Sequence, residues 1–238
     1  MIYLMSDVHG WSSLFFEMLE KIRFGDSDRM YILGDLVAKG PDSLGLLRYV
    51  MDDGRIRLLR GNHEQRLLQA CGADSGAAIS REVLQEWEQE DGGRLLRQLA
   101  EIPAGEKGRI LEFLKNTPLY ERNRWGGRDW LLVHGAPEPG MGYGILENRF
   151  PGIGPDGERD RTGTRQEAEE GLVTVVGHTP TFKYGKQYAG RIIVGKERIF
   201  LDCGAGWGYG LGCLRLEDGK EFYCRPLTNG SRADIISL

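Results

Sequence analysis

The chain carries four histidines, His9, His63, His134 and His178, each beside a glycine or a second polar side chain just after a short apolar run. A single histidine in such a place is more often a structural or surface group than a ligand. The set reads differently, because Asp7, Asp35 and Asn62 occupy comparable places. Imidazole, carboxylate and amide oxygen are together the donors that suit first-row divalent cations. Asp7, His9, Asp35, Asn62, His134 and His178 are therefore expected to build one two-metal centre, the setting for Lewis-acid chemistry.

Such a centre requires elements that deliver all six groups to one place. Residues 2–6 form an apolar run of strand length, and residues 11–23 repeat Leu14, Phe15, Met18, Leu19 and Ile22 at helical spacing. The pattern recurs, with a strand over 30–33 ending at Gly34, a helix opened by Pro41 and running through Leu44, Leu47 and Val50, and a strand over 56–59. Strands alternating with helices predict β-α-β units with parallel pairing, whose chemistry gathers beyond the carboxyl ends of the strands. Asp7 and His9, Asp35, and Asn62 with His63 all fall there. Residues 65–120 read as a helical insertion, periodic in Leu84, Trp87, Leu95, Leu96, Leu99, Leu111 and Leu114, with breaks at Gly92-Gly93 and over 103–108. Further strands are expected over 130–133, 173–176, 192–194, 199–201, 213–216 and 222–224. The last four should form two hairpins, turning at 195–197 and 218–220, which predicts a mainly antiparallel carboxyl-terminal third. A loop over 141–171, rich in glycine, proline and charge, is long enough to be a substrate-side feature. The expected whole is one α/β domain over residues 1–238.

Bulk properties narrow the classes. The 238 residues, 40% hydrophobic and 28% charged, describe an ordinary globular chain without a run long enough to cross a membrane. The amino terminus has no basic leader, so a cytoplasmic location is expected. The formal net charge of -4 lacks the basic excess of a nucleic-acid binder. Cys71, Cys203, Cys213 and Cys224 form no C-x-x-C pair and read as reduced structural thiols. Residues 152–157 satisfy G-x-G-x-x-G, but no strand feeds them and Pro155 interrupts them, so they read as a loop rather than a dinucleotide site. The glycine-rich run 204–210 lacks the lysine and hydroxyl of a P-loop. It reads as tight backbone near the metals, with Trp207 and Tyr209 read first as packing groups and stacking on a substrate base as the alternative.

Taken in order, Asp7-Val8-His9-Gly10, Gly34-Asp35, Gly61-Asn62-His63-Glu64, His134-Gly135 and Gly177-His178 resemble the motifs of calcineurin-like metallophosphoesterases. Gly34-Asp35-Leu36-Val37, Gly40-Pro41-Asp42-Ser43, Trp87 with Gly92-Gly93, and Leu201-Asp202-Cys203-Gly204 are similar to the bacterial branch containing Ser/Thr protein phosphatases and symmetrical diadenosine tetraphosphate hydrolases. The resemblance implies a four-layer αββα sandwich of two mixed sheets flanked by helices. It also implies two divalent ions, manganese first, with iron, zinc, nickel or cobalt as alternatives. One ion would take Asp7 and His9, the other Asn62, His134 and His178, with Asp35 bridging and Asn62 also meeting substrate. A carboxylate between two cations lowers their repulsion, and such a pair activates water and offsets charge on a phosphate. The resemblance makes His63 the general acid and expects an arginine after the His134 motif, for which Arg149 is the candidate, ahead of Arg161 and Arg165.

Two positions depart from that pattern. The branch continues Gly-Asp-x-x-Asp-Arg-Gly, whereas this chain has Ala38 and Lys39. Ala38 removes the carboxylate that would orient His63, with Glu64 or a group of the long loop as a replacement. Lys39 keeps a charge for substrate but loses the planar fork that grips two phosphate oxygens. The function expected is hydrolysis of phosphate monoesters as a Ser/Thr-type protein phosphatase. The alternative is a dinucleoside polyphosphate hydrolase, and from another class a non-catalytic scaffold. Partners are accordingly a phosphorylated protein or a small phosphoester, with no nucleic acid and no membrane.

Overall fold

The computed structural model describes residues 1–73, 80–135 and 171–226. These residues form two five-stranded mixed sheets flanked by helices. In the first sheet β1 (Ile2–Met5), β2 (Arg29–Leu33) and β3 (Ile56–Leu59) are parallel, and β9 (Leu211–Arg215) and β10 (Glu221–Cys224) complete the order β10-β9-β1-β2-β3. The second sheet has the order β4-β5-β6-β8-β7, from β4 (Tyr120–Trp125), β5 (Arg128–Val133), β6 (Leu172–Val176), β7 (Ile193–Val194) and β8 (Arg198–Phe200).

Side chains alternate across a strand, so each strand of the first sheet feeds two cores. Leu4, Leu33, Leu59 and Leu214 point inward and pack with Trp130, Leu132, Val173, Val175, Ile199 and Leu201 of the second sheet. Tyr3, Met5, Met30, Ile32 and Leu58 point the other way, onto Phe15, Met18, Leu46 and Leu47 of the helices. That face is covered by α1 (Ser12–Ile22) and α2 (Ser43–Asp52), whose apolar residues recur at i, i+3 and i+4. The outer face of the second sheet carries Leu131, Val133, Val176 and Phe200, against which Tyr184 and Tyr188 of two 3-10 turns are packed.

Several expectations are corrected. α2 starts at Ser43 with Asp42 as its cap, the Asp42 carboxylate accepting from Gly45 N at 2.9 Å, so Pro41 lies outside the helix. The helical stretch comprises α3 (Asn62–Ala70), α4 (Arg81–Trp87), α5 (Gly93–Glu101) and α6 (Ala104–Asn116). Gly92-Gly93 is no break, since α4 runs into α5 through a π-helical turn over Glu88–Gly92. The break expected over 103–108 is present but confined to Ile102 and Pro103, and α6 includes Gly105 and Gly108. The insertion ends before β4, an unexpected strand that forms a hairpin with β5 around Gly126 and Gly127, both with positive φ. The two expected carboxyl-terminal hairpins form, β7 with β8 and β9 with β10, and β9 is also antiparallel to β1, while β6 pairs in parallel with both β5 and β8. The loop over 141–170, with Arg149, Arg161, Arg165 and the 152–157 glycine pattern, lies outside the described residues. Among the described residues no helix is long and apolar enough to cross a membrane.

Candidate metal centre

The carboxyl ends of β1, β2, β3, β5, β6 and β8 point the same way within each sheet, and their loops are tied together by hydrogen bonds. Asp7 N donates to Gly34 O at 3.1 Å, and His9 N to Asp35 O at 2.9 Å. His63 N donates to Asp35 Oδ1 at 3.0 Å, and His178 N to Asp7 Oδ2 at 2.9 Å. Seven non-glycine residues have positive φ among the described residues, and six are here: Asp7, His9, Asp35, Ala38, Lys39 and His178. The left-handed region costs an ordinary side chain on the order of 1–3 kcal/mol, so this clustering marks loops held by their surroundings for a purpose. Gly177 permits one close approach, since a Cβ there would land on Ser6 Oγ and Asp7 Oδ2.

All six expected ligands come together. Two clusters, His9 with Asp35 and His63, and Asp35 with His134 and His178, each have their donor atoms within 4.8 Å of one another. His9 Nε2 is 3.8 Å from Asp7 Oδ1 and 3.9 Å from Asp35 Oδ2. On the other side, His134 Nε2 is 3.4 Å from Asp35 Oδ2, and Asn62 Oδ1 is 2.9 Å from His134 Nε2 and 2.7 Å from His178 Nδ1. Asp35 is thus common to two halves, as a bridging carboxylate must be.

The chemistry of this donor set fits cations. Asp7 Oδ1 is buried and has no hydrogen-bond partner, a costly state for a carboxylate oxygen unless a cation meets it. Burial, with Asp202 and Asp35 nearby, pushes the Asp7 carboxyl well above its usual range. Asp202, also buried, is pushed up to about 6 by burial, with Asp35 adding to the rise. Burial opposes ionisation of Asp35, but His134 and His63 hold it well below the carboxylate range. His134 Nδ1 lies 2.7 Å from Leu33 O, and His9 Nδ1 3.3 Å from Val37 O. A carbonyl only accepts, so each Nδ1 donates and each Nε2 is turned to the centre. Burial disfavours a charged His134, yet Asp35 overrides it and raises the imidazole to about 10, so a proton holds the place a cation would take. Burial lowers His9 well below its usual value and takes His178 down to about 3, leaving both neutral as ligands must be.

Around the six, Glu64 does not replace the missing partner of His63. Its Oε2 accepts from Asp35 N and Gly61 N, each at 2.8 Å, and its Oε1 from Leu36 N at 2.8 Å and Val37 N at 3.2 Å. Both oxygens are consumed in fixing the Asp35 loop. Trp87 instead meets His63, its Nε1–H donating to Nδ1 at 2.9 Å. Lys39 is half-buried, with its ammonium 4.9 Å above the ring of Trp207. Gly206 keeps that turn against His9 and Lys39, as expected of tight backbone beside the centre. Tyr209 is packed as expected, stacked on Phe182 at 4.8 Å, whereas Trp207 is 55% exposed. The roles of Glu64, Trp87 and Asp202 escaped sequence reasoning. Their signals were the motifs in which all three stand and, for Asp202, a place after a strand end like those of Asp7 and Asp35.

Two mixed sheets whose strand ends converge on histidine, asparagine and a shared aspartate present a candidate centre for two metal ions. The chain belongs to the calcineurin-like phosphoesterase family, whose profile matches residues 1–214. Symmetrical bis(5'-nucleosyl)-tetraphosphatase of Acidovorax sp. (strain JS42) is 36% identical over 140 residues, 58% of this chain and 44% of that protein. The protein so named in Salmonella paratyphi B is 37% identical over 121 residues, 50% and 38% of the two chains. The match thus spans less than half the length of these curated relatives. A crystal structure of a candidate diadenosine tetraphosphatase superposes with a TM-score of 0.63 at 19% identity, covering 96% of this chain and 94% of the other. A cold-active protein-tyrosine phosphatase of a psychrophilic Shewanella gives 0.52 at 18%, covering 93% and 79%. At such identities the likeness concerns the fold.

Proposed function

We propose that this chain uses two divalent cations, manganese foremost, to hydrolyse a dinucleoside tetraphosphate symmetrically, at its central phosphoanhydride bond. The observation carrying the reaction class is the convergence of Asp7, His9, Asn62, His134 and His178 on the shared Asp35. Two cations bound there supply Lewis acidity, activating water and offsetting charge on phosphate oxygens. Asp7 and His9 would hold one, Asn62, His134 and His178 the other, with Asp35 shared between them. Lys39, poised beside Trp207, places a positive charge at the mouth for the phosphate chain. His63 presents an N–H to the leaving oxygen, and Arg149 is the candidate for a second phosphate contact. The relatives favour the dinucleotide over the phosphoprotein first expected. The exposed Trp207 supports that choice, since an indole beside a phosphate site offers a base a stacking surface. A scaffold is disfavoured because it gains nothing from the orphaned Asp7 Oδ1.

The test is a manganese-loaded comparison of diadenosine tetraphosphate, phosphoserine and phosphotyrosine peptides and p-nitrophenyl phosphate, with Asp35→Asn as control. The expected result is ADP as sole nucleotide product, with kcat/KM at least about tenfold above any phosphopeptide, and loss of turnover in the control. Preference for a phosphopeptide, or AMP with ATP as products, overturns the substrate assignment.

A further inference from the structure

The centre contains a selection problem that its six ligands do not solve. His63 is buried, its Nε2 lies 3.8 Å from Asp35 Oδ2, and it clusters with His9 and Asp35 closely enough to serve as a ligand. Nothing in residue type distinguishes it from His9 or His134. The difference is what each Nδ1 meets. His9 and His134 face carbonyl oxygens, which accept. His63 faces the indole N–H of Trp87, which can only donate.

We infer that Trp87 is the positioning residue that keeps His63 out of the metal shell and makes it present Nε2–H to the reaction site. An Nδ1 that accepts cannot carry a proton, so in neutral His63 the proton sits on Nε2, and an Nε2 bearing hydrogen has no lone pair for a cation. Were His63 to ligate through Nε2, its proton would move to Nδ1 and confront the indole N–H across 2.9 Å, two donors with no acceptor between them. Both groups are buried, 3% and 4% exposed, so water cannot relieve that conflict. One family of contacts therefore makes ligands and the opposite contact makes a donor.

The indole is itself held in place. Trp87 is the last residue of α4, and the π-helical turn Glu88–Gly92 brings Gly92 back against it. A Cβ on Gly92 would lie 2.5–2.6 Å from three atoms of the six-membered ring, so the ring fills the space that the glycine leaves. Within the same turn Asp91 O accepts from Lys39 N at 3.1 Å, linking the Trp87 support to the phosphate-side lysine. This arrangement supplies from a helix the orientation that Ala38 cannot supply from its loop.

The tautomer is directly measurable and does not depend on turnover. With four histidines in the chain, two-bond 15N–1H spectra resolve each ring, and His63→Asn assigns its signals. His63 is expected to show a pyridine-type Nδ1 and a pyrrole-type Nε2, both unmoved when zinc is added, while Nε2 of His9 and His134 shifts. A pyridine-type Nε2 in His63, or its shift on zinc binding, overturns the inference. Trp87→Phe should lose the preference and acquire a zinc-sensitive Nε2. Should that variant not fold, Gly92→Ala displaces the indole without removing it and is expected to act alike. Retention of the wild-type tautomer in a folded variant also overturns the inference. The kinetic consequence rests on the proposed reaction: Trp87→Phe should lower kcat for a phosphoserine peptide, whose alkoxide needs a proton to leave, by roughly 10- to 100-fold more than it lowers turnover of p-nitrophenyl phosphate, whose leaving group needs none. A merely structural role would lower both rates together. A protein inactive on every substrate with the expected spectrum refutes the proposed reaction and leaves the tautomer assignment standing.

Discussion

Replacing Glu64 by glutamine should cost far more than an isosteric change normally does. The side chain is fully buried, and its two oxygens accept four backbone N–H groups, those of Gly61 and Asp35 on Oε2 and of Leu36 and Val37 on Oε1. Glutamine has one carbonyl oxygen and one amide NH2. Whichever way it is flipped, two backbone donors face a third donor. Each lost hydrogen bond to a charged acceptor is worth about 1.5–3 kcal/mol, so the pair amounts to about 3–6 kcal/mol. That is a large fraction of the roughly 5–15 kcal/mol that a domain has in total. The loss falls on the Asp35 loop, which is strained at Asp35, Ala38 and Lys39 and so depends on the hydrogen bonds that hold its shape. Burial, with the Asp35 charge, raises the Glu64 carboxyl to about 7, so the comparison belongs at about pH 8.5, where the carboxylate is the form present. Urea denaturation of chelator-stripped protein, followed by tryptophan fluorescence, separates this effect from metal binding. A Glu64→Gln protein within about 1 kcal/mol of wild type would refute the reasoning.

Two further outcomes follow from the same centre. Gly177→Ala drives a methyl group into Ser6 and Asp7, an overpacking of about 1–3 kcal/mol, and should leave the circular dichroism native while lowering bound manganese at the Asp7 side. Wild-type metal content by elemental analysis would count against it. Metal uptake should also release protons, because His134 without a cation is held protonated up to about 10 by Asp35 against the effect of burial. Below that value a cation must displace this proton, so apparent affinity should fall about tenfold for each unit of falling pH. Titration calorimetry at neutral pH in two buffers of different ionisation enthalpy should show release of at least one proton. Buffer-independent heats would contradict it.

What was legible in the chain is what local physics writes locally. Strands β1, β2, β3, β5 and β6 are short apolar runs that stop at glycine or polar residues, and parallel pairing requires their ends to meet, so all six candidate ligands could be placed in advance. The strand β4 was not legible because it is an edge strand, reading Tyr-Glu-Arg-Asn-Arg-Trp, with alternate residues exposed and no apolar face. Gly92-Gly93 suggested a break because glycine disfavours helix. The structure uses Gly92 for clearance, a reason that depends on where the Trp87 ring lies.

The same distinction governs the site. Which residues could serve as ligands is a property of side-chain type, and the sequence displays it. Whether a histidine ligates or donates is a property of the atom across from its other nitrogen, and that atom comes from an element distant along the chain: Leu33 for His134, Trp87 for His63. Ala38 therefore raised the right question about His63, namely what orients it, and suggested a carboxylate as the answer. A carboxylate at Nδ1 would accept its proton and leave the Nε2 lone pair to the centre, or allow a charged ring. The indole does neither, so the substitution of partner changes the kind of group that His63 can be, from an acid strengthened by a neighbouring charge to a neutral hydrogen-bond donor of fixed direction.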